Sequence, residues 1–296
     1  MQNLASSIRR SVLYMPASNE RALMKSASLA CDAIIFDFED AVGPEEKETA
    51  RERLRAFLSG PGRPKCEIVI RINALTSEWG TEDLLTARAC KPDAILIPKV
   101  DGPQSIIDVE LALSEMDAPE SIRLWAMMET PRSILNAGAI ADHAREPSSR
   151  LECLVVGPND LAKETRIIVG KDRSNLVPLL LQVVLAARAG NLTALDGVSN
   201  NFRDLEIFAR ECEAGRGLGF DGKTLIHPAQ IEDANRIFGP SEDEIAEAEA
   251  IVAEFARPEN KSRGVVAMDG KMVERLHLES AQDLLAKARS IKEKSQ

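Results

Sequence analysis

Eight short apolar runs recur along the chain, SVLYMP, AIIFDFED, EIVIRIN, AILIPKV, RLWAMMET, LECLVVGPND, LTALDG and GKTLIHP, with helical signals between them. Runs this short, rich in Val, Ile, Leu and Met and without polar alternation, predict strands covered on both faces, as in a parallel sheet. Asn19 stands as a helix cap before ERALMKSASLA, Pro44 opens PEEKETARERLRAFL, and Pro131 opens PRSILNAGAIADHA. Eight strands alternating with helices predict an α/β fold, a closed (β/α)8 TIM barrel with its chemistry at the C-terminal strand ends. The barrel domain is expected over residues 1–240, its elements running from about Arg10 to Phe238. Residues 241–296 are expected to form a C-terminal helical cap or arm. It comprises an acidic amphipathic helix from Ser241 to Pro258, the polar segment ENKSRGVVAMDGKMVERLH with a short apolar run, and a last helix LESAQDLLAKARSIKEK. The glycine-rich GRGLGFDGK lacks the strand, GxxxxGK[ST] and helix order of a phosphate loop and reads as a helix stop and turn into the eighth strand.

Acidic residues gather where the apolar runs stop. Glu129 and Asp160 end the fifth and sixth runs, so a barrel places them on neighbouring strands of one rim. Two carboxylates there can share a hard divalent cation such as Mg2+, with water and substrate oxygens completing its octahedron. They can equally cap the helices that follow, where negative charge is favourable, and spacing alone leaves both readings open. Asp37, Glu39 and Asp40 form a second acidic group after the second strand, with Asp37 and Glu39 on one side by strand alternation. Buried carboxylates need partners, and Arg71, Lys99 and Lys47 are the basic residues expected to supply them. Arg71 and Lys99, after the third and fourth strands, also suit an anionic substrate: Arg71 offers two parallel hydrogen bonds, Lys99 a point charge. Asp196, ending LTALDG, is a weaker candidate of the same kind.

Charge and composition narrow the partners. A formal net charge of −10 argues against nonspecific nucleic-acid binding, which needs a basic face, and requires any anionic substrate to find a local basic pocket. No apolar stretch approaches the roughly 20 residues that span a bilayer. The N-terminal MQNLASSIRRSVLYMP lacks the long apolar core of a signal peptide, so no membrane association and a cytoplasmic location are expected. Cys31, Cys66, Cys90, Cys153 and Cys212 are scattered without CxxC spacing and read as reduced thiols. His227 is expected to make a structural hydrogen bond to a loop, whereas His143 and His277 show no partner pattern. With no Gly-x-Ser-x-Gly turn, a Ser-His-Asp hydrolase is unsupported.

In chain order, RSVLYMPASNERAL, DAIIFDFEDAVGPEEK, VIRINALTSEWG, LIPKV, LWAMMET, VGPNDLAKE, NFRDLE and GFDGKTLIHPAQI resemble the citrate lyase β-subunit-like branch of the HpcH/HpaI aldolase superfamily. The resemblance runs from Arg10 to the C-terminal helix. It implies a (β/α)8 barrel, dependence on Mg2+, and an enzyme that makes or breaks a carbon–carbon bond in a 3-hydroxyacyl-CoA such as malyl-CoA or citramalyl-CoA. CoA thioesters and small α-oxoacids are the implied ligands. The family's metal ligands fall on Glu129 and Asp160, and its substrate-carboxylate arginine on Arg71. GPND stands where the family has G-T-N-D, so Pro158 removes a hydroxyl and a backbone N–H and leaves the ligand in place.

The tail GVVAMDGKMVERLH resembles the family's cap, G-K-M-I-D-x-P in many lyases, whose Asp serves as acid/base over a neighbouring subunit's active site. That position is Glu274 here, with Asp269 competing only if the register shifts. The extra methylene displaces the carboxylate by roughly an ångström, enough to matter for proton transfer. Glu followed by LH is more similar to the (3S)-malyl-CoA thioesterase members, which hydrolyse the thioester. The expected activity is thus C–C lysis, with thioester hydrolysis as the alternative; a noncatalytic lyase-complex subunit is disfavoured by retention of these residues. Glu274, Arg71 and Asp37 are the expected catalytic residues, and Arg71, Lys99 and Glu129 the expected substrate contacts. Glu39, Asp40 and Lys47 are expected to support them, and Glu129 and Asp160 to hold the metal. The resemblance also implies a homotrimer or hexamer in which each cap reaches a neighbour.

Overall fold

The apolar runs become eight parallel strands in a computed structural model that describes residues 8–170, 172–268 and 270–294. They are β1 (Ser11–Pro16), β2 (Ala33–Asp37), β3 (Glu67–Arg71), β4 (Ala94–Ile97), β5 (Arg123–Met128), β6 (Leu151–Val156), β7 (Thr193–Asp196) and β8 (Gly222–Leu225). Each pairs in parallel with the next and β8 pairs with β1, so the sheet closes into the expected barrel. Alternation sends one set of side chains inward, where Val12, Ile35, Val69, Leu96, Trp125 and Val155 belong to a fully packed interior. The opposite set meets the helices: Phe36 packs edge-on to Phe57 of the helix Lys47–Ser59, with ring centroids 6.2 Å apart. Arg9 lies just before β1, its guanidinium 4.7 Å from the Trp125 ring and bonded to Glu67 at 2.6 and 2.8 Å.

Local signals set the helix ends. Asn19 Oδ1 accepts from Ala22 N at 3.1 Å. Pro44 opens a single tight turn, Pro44–Glu46, before the helix Lys47–Ser59. The segment after Pro131 forms two helices, Pro131–Leu135 and Ala137–His143, divided at Asn136. No described helix is long and apolar enough to cross a membrane.

The chain divides into two compact units, the barrel over Arg9–Ala234 and a second unit from Asn235 onward. The division falls earlier than residue 240 because Phe238 is buried and its carbonyl accepts from Lys287 Nζ at 3.1 Å, which ties this stretch to the last helix. The second unit is not wholly helical. Between the helices Glu242–Ala256 and Arg275–Lys294 lies an antiparallel hairpin of β9 (Val265–Met268) and β10 (Lys271–Glu274), with Val266 opposite Val273. Those two valines and Phe255 form its apolar centre, packed against Ile251, Met268 and Leu278. Val266 and Val273 turn inward while their neighbours Val265 and Met272 are exposed, which holds the hairpin where a sequence reading expects only a cap. Asp269, the competing acid/base candidate, lies outside the described residues.

Candidate active site

The inward columns of the strands run on past the apolar interior into a polar site. On β2 the column Ala33, Ile35 reaches Asp37; on β3 Val69 is followed by Arg71; on β5 Trp125 and Met127 are followed by Glu129. On β6 the next such position after Cys153 and Val155 is Gly157. A Cβ there would lie 2.5 Å from both Cβ and Oε2 of Glu129, so only glycine leaves room for that carboxyl group. Asp160 enters from the first turn of the helix Pro158–Thr165. Asp37, Asp40, Arg71, Glu129 and Asp160 all line one cavity of about 290 Å³ at the C-terminal strand ends, with Tyr14 on its wall.

Arg71 is held on three sides. Its Nε and Nη2 donate to Asp37 at 2.8 and 2.6 Å, and its Nη1 lies 2.7 Å from Glu39 Oε2 and 3.5 Å from Asp40 Oδ2. Burial opposes the charge of Arg71, yet Asp37 and Glu39 hold its pKa well above the ordinary value. Asp37, expected among the catalytic groups, also accepts from Glu39 N at 2.8 Å and Ala41 N at 3.1 Å. Its four acceptor positions are therefore engaged. Glu39 is less well served. Its Oε2 lies off the Arg71 N–H direction and closes no hydrogen bond, and burial raises its pKa despite Arg71 and, 3.4 Å from Oε1, Lys99 Nζ.

Glu129 is 2% exposed, and its Oε1 accepts from the backbone N–H of Lys99 at 2.7 Å. Lys99 presents that N–H from a left-handed conformation, φ 50°. Burial pushes the Glu129 carboxyl up to about 7; the Lys99 N–H and Arg71 oppose the rise, and Glu39 and Asp160 add to it. Capping does not explain this residue, because Thr130 caps the helix Pro131–Leu135 by accepting from Ser133 N. Asp160 is a first-turn residue of a helix with no side-chain cap, where the helix end favours its charge.

The cavity is acidic, with Asp37, Asp40, Glu129 and Asp160 against the single guanidinium of Arg71. Among the described residues no group of three or more His, Cys, Asp or Glu is placed to hold a metal ion, and Glu129 and Asp160 both line the cavity. A glycine-made cradle, hard oxygen donors and uncompensated negative charge fit Mg2+, which takes one or two carboxylates and fills its remaining positions with water and substrate.

Other expected residues have different partners. Lys47 Nζ donates to the carbonyls of Phe38 at 2.6 Å and Glu39 at 2.8 Å and to Asn73 Oδ1 at 3.1 Å. It thus fixes the loop backbone and does not neutralise a carboxylate. Asn73 in turn is held by the buried Asp83. Asp196 is saturated by Arg173 at 2.9 and 3.1 Å and by Lys223 at 2.7 Å. His227 Nδ1 accepts from Ala229 N at 3.2 Å and its ring stacks on Phe202. The other two histidines do have partners: His143 Nε2 sits 3.0 Å from Glu110 Oε2, and His277 Nδ1 accepts from Glu274 N at 2.9 Å. Glu274 ends β10 in the second unit and is half-buried. Sequence reasoning passed over Tyr14, Asn73, Asp83, Arg173 and Lys223. Tyr14 was findable, since it holds an inward position of β1 two residues after Val12.

Comparison with known proteins identifies the family and the fold. The sequence pattern of the HpcH/HpaI aldolase/citrate lyase family matches residues 10–228. A (3S)-malyl-CoA thioesterase from Cereibacter sphaeroides is 47% identical over 282 residues, covering 95% of each chain. The citrate lyase subunit beta of Haemophilus influenzae is 32% identical, covering 96% of this chain and 98% of that one. Among solved structures, CitE from Mycobacterium tuberculosis in complex with magnesium, acetoacetate and coenzyme A superposes with a TM-score of 0.77 at 26% identity, covering 97% of this chain and 100% of that one.

Proposed function

The chain belongs to the HpcH/HpaI aldolase/citrate lyase family, and on that premise we propose that it is a Mg2+-dependent enzyme of small 3-hydroxyacyl-CoA thioesters whose principal reaction is hydrolysis of (3S)-malyl-CoA. The likeness to (3S)-malyl-CoA thioesterases favours hydrolysis, and the observation that carries the metal-dependent part of this reading is the cavity's charge balance. Four carboxyl groups around one arginine make a poor site for an anion alone and a good one for an anion that arrives with a divalent cation. Glu129 and Asp160 would hold Mg2+, which when bound supplies Lewis-acid polarisation and a template for substrate oxygens. Arg71 orients the free carboxylate of the malyl group through Nη1, while Asp37 fixes the opposite edge of the guanidinium and so acts as a positioning residue. Glu39, displaced from Nη1 by that carboxylate, keeps Lys99 Nζ as a counter-charge. Glu274, contributed by the cap of a neighbouring subunit in a homotrimer or hexamer, would take the proton of the hydrolytic water as its oxygen attacks the thioester carbonyl, and return it to the CoA sulfur as the C–S bond breaks. We place the enzyme in the cytoplasm.

Cleavage of the carbon chain is a second reading. It is favoured by the likeness to citrate lyase subunits and by the same Arg71, Glu129 and Asp160 set, which suits a substrate hydroxyl and carboxylate equally well. Incubation with (3S)-malyl-CoA and Mg2+ separates the two readings. Malate and free CoA without glyoxylate are expected for the hydrolase, and glyoxylate with acetyl-CoA for the lyase. Absence of turnover, with other hydroxyacyl-CoA thioesters also inert, contradicts both.

A further inference from the structure

Tyr14 is the single tyrosine of the chain, and none of the roles above uses it. It lines the cavity with Arg71 and Glu129, and the Arg71 guanidinium lies 5.0 Å from its ring centre. Its hydroxyl has a poor partner, the Met127 thioether at 3.8 Å, and sulfur of this kind is a weak acceptor. Arg71 Nη1 reaches the same Met127 sulfur at 3.6 Å. Two donors, one neutral and one cationic, therefore converge on a single atom at the cavity wall. Burial raises the pKa of the phenol despite the nearby arginine, so it remains a donor throughout the neutral range. Methionine is flexible enough to yield such a position to a better acceptor.

We propose that the Tyr14 hydroxyl and Arg71 Nη1 form a two-donor clamp for one oxygen of an α-oxy carboxylate, the hydroxyacid or oxoacid end of the substrate, which displaces the Met127 sulfur. The inference rests on the reading of this cavity as the hydroxyacyl-CoA site and names the group that would fix the acid end. Its consequence is selectivity: a ligand without an oxygen at that point leaves the Tyr14 hydroxyl on a thioether.

Oxalate in the presence of Mg2+ is a suitable probe, tested on the full-length protein. Replacing Tyr14 by Phe is expected to weaken oxalate binding roughly tenfold or more, the loss typical of a hydrogen bond to a charged group. Protein carrying tyrosine labelled at Cζ gives one NMR resonance, which is expected to move on saturation with oxalate. A purely structural tyrosine would leave it in place. Tyr14→Phe binding oxalate within about twofold of wild type, or a resonance unmoved at saturation, overturns the clamp while the reading of the site stands. If wild-type protein with Mg2+ does not bind oxalate, the reading and the clamp fall together. Should Tyr14→Phe not fold, the wild-type resonance alone decides.

Discussion

Glu129 and Asp196 both follow apolar strand residues of the same barrel, and both are buried at the C-terminal end, yet they are held in opposite ways. Asp196 receives two hydrogen bonds from Arg173, one from Lys223 and one from Gly197 N, and these cations bring its pKa below the ordinary value although burial alone would raise it. Glu129 receives one backbone N–H, and burial takes its carboxyl to about 7. A carboxylate that the fold neutralises is part of the framework. One that the fold leaves short of positive charge is ready for a cation from solution. The difference lies in the partners, which come from distant loops and strands, and not in the strand end itself.

The largest expected effect comes from removing the uncompensated charge. Glu129→Gln is expected to lower Mg2+-dependent turnover of (3S)-malyl-CoA by at least about a thousandfold, the scale of losing a principal electrostatic element of a site. The fold is expected to gain stability from the same change. Because the folded-state pKa of Glu129 is raised, its contribution to stability is full at low pH and is lost as pH rises from 4.5 through about 7. Metal-free Glu129→Gln should therefore be more stable than wild type near pH 8, by about 1–3 kcal/mol in chemical denaturation. Normal turnover in this variant would remove Glu129 from the metal site.

Asp196→Asn should show the reverse pattern. It leaves Arg173 and the fully buried Lys223 without their shared carboxylate, and breaking such a group costs about 3–5 kcal/mol. Here the sign is that of a depressed carboxyl: the contribution is whole above 3.8 and is lost as pH falls below it. Denaturation of the variant at neutral pH reads the loss directly. An unchanged midpoint would mean that the two strand ends do not differ in the way described.

Much of the barrel was legible because each strand is an uninterrupted apolar run and each helix start carries a local signal such as Asn19 or Pro131. The site was legible in part. Strand alternation puts Asp37 and Glu39 on one side, where Arg71 meets both, whereas the glycine beside Glu129 emerges only from the register of β5 and β6. What escaped the sequence depends on contacts between distant positions: Arg173 and Lys223 on Asp196, Asp83 on Asn73, and the backbone carbonyls that claim Lys47. The hairpin of the second unit escaped for another reason. Four-residue strands such as β9 and β10 are too short for periodicity to distinguish from a loop.

The most direct measurement is calorimetric titration of Mg2+ into the protein near pH 6 and near pH 8, in buffers of different ionisation heat. With the Glu129 carboxyl at about 7, binding near pH 6 must expel its proton, so the affinity should be about tenfold weaker there. Close to one proton should be released to the buffer near pH 6 and almost none near pH 8. Equal affinity at both pH values with no proton release, or Mg2+ binding unchanged in Glu129→Gln, would contradict the assignment of Glu129 as the carboxylate left open for the metal.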